Sequence, residues 1–482
     1  MDSDHDIRPE ARAPAPEFPA GATWVNMRAP LSLAALRGRV VVLYFWTYSN
    51  IHCLQALADL KYLENKFRDE VALVGVHAPK FAQERVAANV IRAVNRHYIR
   101  HPVVADAEFG LWQLYEVAAW PSYVVIDIEG RVAARLSGEG RRAELDALVA
   151  RLAGEATTHH EAPALNTTAK PEPKTALRFP GKLLATPDRL YVADTGHNRI
   201  LECTHQGRVL RQFGSGNTGI WDGRGNDAGY TEPQGLALNG ATLFVADRGN
   251  HAVRRIVLST GETTTVLGTG AQGRLRGEAS DPLAVPLSSP WDVAAAGDRL
   301  YVALAGQHQI GTLDLVKSQY SVFGGSGRQE LVDGPLATAS FAKPLGLAQQ
   351  AQTIYVADAD SSSIRAIKLF DRTVKTVAGK GLHDFGDSSG PRPEDLVLQH
   401  PTAIALEAQH AELWIADAYN GKLKVLSLRG GASRVWPGDY RFHEPGGISI
   451  AGGAVWVANT NAHEIVRIDL RDGKAARVPV AE

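Results

Sequence analysis

The residues best suited to chemistry lie where an apolar strand runs into a helix, from Phe45 to Leu54. A cysteine at the start of a helix is pushed toward its thiolate form, because the first helical amides carry a partial positive charge. Redox sites of this shape carry the pattern Cys-x-x-Cys, whereas this chain has Asn50 and Cys53 at those positions. One sulfur is therefore present, and its partner is missing.

Cys53 is the candidate catalytic residue of this stretch, and the alternative is a buried structural thiol. His52 could assist a thiolate, but neighbouring residues of a helix point about 100° apart. Asn50 is a good helix N-cap, so the helix start keeps a stabilisation of about 1 kcal/mol while it loses a nucleophile. We therefore expect the local fold to survive and a dithiol cycle to be absent.

The surrounding sequence predicts the elements that position this turn. Val40 to Trp46 is a continuous apolar run, typical of a buried parallel strand. The next segment spaces its apolar residues at three and four, which is typical of an amphipathic helix. Strands and helices then continue with a strand at 70–77, a helix at 84–98, a hairpin closing at Glu129-Gly130 and a final helix at 141–152. This order predicts an α/β domain with a mixed sheet over residues 22–154.

This domain resembles the thioredoxin-like fold in three features: the strand-turn-helix at 45–67, Trp120-Pro121 before a strand, and the hairpin at 127–138. In that fold a cis-proline faces the thiol motif, and the resemblance implies that Pro121 is this residue. It also implies that the neighbours of the thiol site are Trp46, Ser49, Asn50, His52, Trp120 and Pro121.

Composition limits the partners and the location. Among 482 residues, 51 basic and 52 acidic side chains nearly cancel, so nucleic acid is not an expected partner. No run of about 18 apolar residues is present, so we expect no membrane partner. Two cysteines cannot form a disulfide framework, and residues 1–21 lack an apolar signal core, so we expect a cytoplasmic protein with a disordered leader at 1–21. A linker rich in Ala, Thr and Pro is predicted over residues 155–174.

The rest of the chain, residues 175–482, is repetitive. The segment Leu190-Tyr191-Val192-Ala193-Asp194 recurs five times in similar form, and the copies end at residues 194, 247, 304, 358, 417 and 459. The intervals are therefore 53, 57, 54, 59 and 42 residues. A propeller blade takes about 40 to 50 residues, so the longer intervals imply inserted loops. Six copies predict an all-β propeller with six blades.

Acidic or amide side chains close this segment in five of the six copies, and blade 3 has Leu304 instead. We predict that they hold the following turn by Asx-type hydrogen bonds, at Asp194, Asp247, Asp358, Asp417 and Asn459. We expect no metal at this ring, because each side chain has a structural role in its own blade. Residues 214–219 match a dinucleotide fingerprint in letters, but the loop recurs without a helix, so we predict a turn and no cofactor.

The turns after these residues, such as 195–199 and 248–252, resemble the NHL repeat. Together with the first domain they make nearly the whole chain similar to the family of NHL-repeat-containing protein 2 and its bacterial relatives. In that family the thiol turn is similar to Cys-Cys-Ile-Asn-Cys, and this chain departs from it at Ser49 and Asn50. The resemblance implies a thioredoxin-like domain followed by an NHL-type propeller.

We favour a binding protein: a thioredoxin-like domain without its dithiol, joined to a propeller that docks a protein, a peptide or another ligand on one face. One alternative is a single-thiol redox enzyme, a thiol-disulfide oxidoreductase or a peroxide-linked enzyme, in which Cys53 works with a cellular thiol in redox homeostasis. A second alternative is a hydrolase or lyase in the propeller, which would need converging His or Asp side chains in the central channel. The sequence alone favours a non-enzymatic role.

Overall fold

The computed structural model describes residues 13–155, 167–168, 175–275 and 277–481, in two compact units that divide between residues 173 and 174. The first unit is an α/β layer structure, and the second is a ring of six antiparallel β-sheets. The predicted fold class is therefore confirmed.

The first unit has six strands and four helices among its described residues. They are β1 (Thr23–Val25), β2 (Val40–Trp46), α1 (Ile51–Lys66), β3 (Val71–His77), α2 (Ala87–Arg96), β4 (Val103–Ala105), α3 (Gly110–Leu114), β5 (Ser122–Ile126), β6 (Val132–Ser137) and α4 (Arg142–Gly154). The strands form one mixed sheet in the order β1-β4-β3-β2-β5-β6. β2 and β3 run parallel at its centre, and every residue of both strands is buried, which explains their continuous apolar sequence.

The prediction of a disordered leader at residues 1–21 is wrong for residues 13–21. The amide of Ala15 donates a hydrogen bond of 2.9 Å to the Gly130 carbonyl, so the segment lies along the turn between β5 and β6. Phe18 is buried, and its ring packs edge-on against Trp24 with 5.0 Å between centroids. The burial of this aromatic side chain orders a segment whose composition alone favours disorder. Residues 1–12 of the predicted leader lie outside the described residues.

Three residues of the predicted linker, Glu155, Thr167 and Thr168, are described within the first unit. Thr167 pairs with Met27, and the Thr168 amide donates a hydrogen bond of 2.8 Å to the Asn26 carbonyl. This part of the segment therefore contacts the α/β unit. The remaining linker residues, 156–166 and 169–174, lie outside the described residues.

Each sheet of the second unit is a blade whose inner, second, third and outer strands follow one another along the chain. Blades 1 to 3 consist of Leu183–Ala185, Leu190–Asp194, Arg199–Cys203, Val209–Phe213; Pro233–Asn239, Thr242–Asp247, Ala252–Val257, Glu262–Leu267; and Pro290–Ala296, Arg299–Leu304, Gln309–Asp314, Gln319–Gly324. Blades 4 to 6 consist of Pro344–Gln350, Thr353–Asp358, Ser363–Lys368, Thr373–Ala378; Pro401–Glu407, Glu412–Asp417, Lys422–Ser427, Ser433–Val435; and Pro445–Ala451, Ala454–Asn459, Glu464–Asp469, Ala475–Val478. The repeated sequence segment is the second strand of every blade.

The inserted loops that the long intervals imply connect neighbouring blades. The loop after blade 1 contains the short strand Gly223–Arg224, which pairs with the outer strand of blade 2. Glu278–Ala279 and Gly334–Pro335 pair in the same way with the outer strands of blades 3 and 4. These loops therefore extend the sheet of the following blade, which explains why they are longer than a simple turn.

The ring closes between blade 6 and blade 1. The Ala185 amide of the first inner strand donates a hydrogen bond of 3.0 Å to Ser449 Oγ of the last inner strand. At the periphery, Ala481 accepts a hydrogen bond from the Val209 amide at 2.9 Å and donates one to the Gly207 carbonyl at 3.1 Å. The two ends of the propeller sequence are thereby joined.

Candidate functional site

The turn between β2 and α1 is organised by Asn50, which is the N-cap of the helix. Its side-chain oxygen accepts hydrogen bonds from the amides of His52, at 2.9 Å, and Cys53, at 3.4 Å. These are two of the amides that a helix start would otherwise offer to an anion. The Asn50 side chain therefore occupies the two amide donors that would stabilise a thiolate if residue 50 were a cysteine.

Cys53 lies in the first turn of α1, and its side chain is fully buried. Its carbonyl accepts a hydrogen bond of 2.7 Å from the Tyr44 hydroxyl, and the Tyr44 ring stacks on Tyr123 with 5.3 Å between centroids. Burial raises the pKa of Tyr44 well above its usual value, so this hydroxyl stays protonated and acts as a donor. The surroundings of Cys53 are those of a packed core residue.

Three of the predicted neighbours of the thiol position have defined surroundings of their own. The Trp120-Pro121 peptide bond is cis, as the resemblance implies, and the Trp120 ring packs at a tilt of 46° against Trp112 with 4.5 Å between centroids. His52 Nδ1 lies 3.1 Å from Glu139 Oε2, so this side chain extends toward the loop after β6. Trp46 is fully buried at the end of β2.

Glu84 is a residue of this site that the sequence analysis missed. Its buried carboxylate accepts hydrogen bonds from the backbone amides of Ser49, at 3.0 Å, Phe81, at 2.8 Å, and Lys80, at 2.5 Å. One carboxylate therefore ties the thiol turn to the loop after β3. Glu84 carries no local signal of this role, because charged residues near a helix start are usually solvated.

His77 ends β3 directly beside the thiol turn. Its ring stacks on Tyr48, with 5.3 Å between centroids, and meets Trp46 edge-on at 5.2 Å. Burial lowers the pKa of His77 to about 3, so the imidazole is neutral near neutral pH. It acts in this position as an aromatic packing residue.

In the propeller, the aspartates at the ends of the second strands contact the following turns through a side chain three positions on, and not through an Asx-type bond to a backbone amide. Oδ2 lies 2.8 Å from His197 Nδ1 for Asp194, 2.7 Å from Asn250 Nδ2 for Asp247, 2.9 Å from Ser361 Oγ for Asp358 and 2.7 Å from Asn420 Nδ2 for Asp417. One side-chain oxygen also accepts a hydrogen bond from the amide of the residue two positions before the proline that opens or precedes its own inner strand, as when Asp247 accepts from the Thr231 amide at 2.8 Å. The same bond links Asp194 with Arg178, Asp358 with Ala342, Asp417 with Gln399 and Asn459 with His443. Each side chain thus fastens the entry of an inner strand.

The second oxygen of three of these carboxylates faces a buried cation seven residues further on. Asp247 Oδ2 lies 3.2 Å from Arg254 Nη1, and Arg254 also lies 3.0 Å from Asp222 in the inserted loop. The equivalent triads are Asp358, Arg365 and Asp333 in blade 4, and Asp417, Lys424 and Asp387 in blade 5. The signal for these triads is present in the sequence as an Asp followed seven residues later by Arg or Lys.

Blade 3 lacks both members of this pair. Leu304 replaces the acid, and Gly311 stands at the position of the cation. A Cβ atom at residue 311 would lie 2.8 Å from the Tyr320 ring, so this ring fills the space near the missing side chain. Acid and cation are therefore replaced together, which avoids a single buried charge.

The described residues contain no group of three or more His, Cys, Asp or Glu side chains arranged to hold a metal ion. Within the same part of the chain, no helix combines the length and the apolar character that crossing a membrane requires.

An α/β unit with a cis-proline and a capped thiol turn, followed by six blades, defines a thioredoxin-like propeller protein. A family model described as thioredoxin-like matches residues 38–132. Human NHL repeat-containing protein 2 is 33% identical over 518 residues, which cover 96% of this chain and 71% of the human protein. Protein SUPPRESSOR OF QUENCHING 1, chloroplastic, from Arabidopsis thaliana is 36% identical over 508 residues, with coverage of 97% and 48%.

Among solved structures, a nidogen/laminin complex matches with a TM-score of 0.42 and 14% identity over 61% of this chain and 91% of the matched chain. The match to human NHL repeat-containing protein 2 decides the assignment, because it extends over 96% of this chain and 71% of that protein. The chain belongs to the family of NHL repeat-containing protein 2.

Proposed function

We propose that the chain is a two-domain binding protein. Its thioredoxin-like unit serves as a scaffold without dithiol chemistry, and its propeller docks a protein or another ligand. The observation that carries this proposal is the capping of α1 by Asn50, at the position where a dithiol enzyme has its attacking cysteine. An amide side chain cannot form a mixed disulfide.

The burial of Cys53 supports the same conclusion. The thiolate is the nucleophile in thiol exchange, and it must reach its substrate. Cys53 is fully buried in the first turn of α1, where the Tyr44 hydroxyl binds its carbonyl. This position suits a packing residue better than a single-thiol enzyme.

Docking on the propeller is supported by the rigidity of its loops. In five blades the loop that enters the inner strand is held by a buried side chain of the second strand. Loops on a fixed scaffold keep their shape and lose little conformational entropy when a partner binds. Blade 3 has Leu304 at this position and therefore lacks the side-chain acceptor that holds the entry loop in the other five blades. The six entry loops are thus not equivalent around the ring.

Thiol labelling of the native full-length chain tests the scaffold role. Cys203 is an internal reference, because burial raises the pKa of its thiol to about 12. We expect iodoacetamide to modify Cys53 as slowly as Cys203 in the native protein and both residues rapidly in urea. Selective labelling of native Cys53 would instead support the single-thiol enzyme.

Affinity capture with the full-length chain and with Cys53→Ser tests the docking role. A partner that binds the propeller should be retained equally by both proteins, with and without reductant, and should compete with excess untagged chain. A partner that is lost on Cys53→Ser or on reduction would be held through a mixed disulfide, and this result would contradict the proposal.

We also propose a cytoplasmic location, based on a chain of this length with only two cysteines, neither of which forms a disulfide. Fractionation of cells that express the tagged chain checks it. Recovery in an organelle or an extracellular fraction would contradict the proposed location.

A further inference from the structure

A second site lies on the axis of the propeller, two residues after the proline that opens or precedes each inner strand. The six residues at this level are Lys182, Gly235, Asp292, Gly346, Ala403 and Gly447. Four of them have no side chain beyond a methyl group. The ring therefore contains one cation and one anion among residues that leave space for them.

The small residues are needed because the inner strands approach one another closely at this level. A Cβ atom at Gly235 would lie 2.3 Å from Asp292 Oδ1, and one at Gly447 would lie 2.7 Å from the Cα atom of Lys182. The pairing register also shifts at this point in the inner strands of blades 2 to 6. Such bulges reorient the backbone and interrupt the ladder.

Two of the backbone carbonyls at these bulges bind the Lys182 ammonium group. Lys182 Nζ donates to the Leu345 carbonyl at 2.7 Å, the Thr402 carbonyl at 2.8 Å and Asp292 Oδ2 at 3.1 Å. An ammonium group has three donors, and all three have acceptors here. These acceptors come from blades 3, 4 and 5, so one side chain of blade 1 joins four of the six blades.

Both charged side chains are nearly inaccessible, with 5% of Lys182 and 7% of Asp292 exposed. Burial lowers the pKa of Lys182 and raises the pKa of Asp292, and the attraction between the two groups opposes both shifts. Asp292 is fixed further by the Leu347 amide, which donates to Oδ2 at 2.9 Å. The carboxylate therefore keeps its position independently of the lysine.

We propose that the propeller axis is a cation site, formed by the Asp292 carboxylate and the carbonyls of Leu345 and Thr402, and that the Lys182 ammonium group is its built-in occupant. Oxygen ligands of this kind suit hard metal cations, with calcium as the representative ion and water completing its coordination. Lys182 excludes such an ion from the native chain. A site without the Lys182 ammonium group binds the metal ion.

The test compares four full-length proteins: wild type, Lys182→Ala, Lys182→Met and the double variant Lys182→Ala/Asp292→Asn. Thermal unfolding and calorimetric titration with CaCl2 report binding. We expect the Tm of Lys182→Ala to fall and then to rise with each tenfold increase in CaCl2 above its Kd, because the ion binds the folded state. The other three proteins should not respond, since they retain the ammonium group, fill its space or lack the carboxylate.

A Lys182→Ala protein that folds but shows neither a Tm shift nor heat of binding with CaCl2 would overturn the proposal. So would an equal response of the double variant, because the ion would then bind elsewhere. If Lys182→Ala is insoluble without added ions, recovery of folded protein in CaCl2 supports the site. Failure to recover it, while Lys182→Met folds, contradicts the site.

Discussion

At the scale of the residue, Asn50 separates the architecture of a thiol site from its chemistry. The strand, the turn, the helix start and the cis-proline are all present around it. Its side chain satisfies the helix amides that a thiolate would use. Asparagine at position 50 therefore preserves the local fold and lacks the sulfur atom that would attack a disulfide.

Replacing Asn50 by alanine should cost about 1 kcal/mol of local stability, because two amides at the start of α1 lose their acceptor. Asn50→Asp or Asn50→Ser keeps the acceptor and is the matched control. Native-state hydrogen exchange of peptides that cover residues 50–60 measures the effect. Equal protection in the alanine and aspartate variants would show that the cap contributes nothing.

His77 predicts a pH dependence of stability. The folded imidazole has a pKa of about 3, whereas an unfolded histidine titrates near 6.5. The unfolded chain therefore binds an extra proton between these values, so stability is complete above pH 6.5 and falls as the pH is lowered. The expected loss from this residue at pH 5 is about 2 kcal/mol.

His77→Phe keeps the aromatic packing against Trp46 and Tyr48 and removes the titration. Urea unfolding at pH 7 and pH 5 should show a smaller loss for this variant than for the wild type. An identical loss in both proteins would assign the acid sensitivity to other groups.

At the scale of the element, the blades depend on buried charge triads as well as on strand pairing. Arg254 is fully buried between Asp247 and Asp222, and these residues belong to two strands and an inserted loop. Its removal leaves a buried carboxylate without its cation, which costs much more than the net value of the pair. Blade 3 shows that the loss of both charges is compatible with the fold.

Arg254→Met should destabilise the propeller by about 3 to 5 kcal/mol, whereas the double variant Asp247→Leu/Arg254→Met should lose less. The pKa of Asp247, raised to about 6 by burial in the native chain, should rise further without the arginine. The propeller of the single variant should therefore gain stability, relative to that of the double variant, as the pH falls from 7.5 to 5.5. Thermal unfolding of both variants at the two pH values checks this, and equal losses would contradict it.

Much of the fold could be predicted from the sequence, because its signals are local. The repeated segment ending at Asp194 and its copies marks the second strand of each blade, and the apolar run at 40–46 marks the central strand. Two of the missed features join distant residues. Glu84 binds the amide of Ser49, and Lys182 lies 110 positions before Asp292, so neither pairing leaves a local pattern.

At the scale of the whole molecule, the propeller is fastened at its periphery and on its axis. The inserted loops extend the following blades, Ala481 pairs beside blade 1, and Lys182 joins four blades at the centre. The buried polar groups of the propeller therefore hold its loops in place. Its thioredoxin-like unit keeps a thiol turn with one buried sulfur.

The most direct measurement of the central claim is the reduction of insulin disulfides in the presence of a dithiol regenerant. A thioredoxin-like scaffold without an attacking thiol predicts the same slow background rate for the full-length chain, for Cys53→Ser and for Cys203→Ser. A rate above background that Cys53→Ser abolishes and Cys203→Ser retains would contradict the account and assign the chain to the redox enzymes.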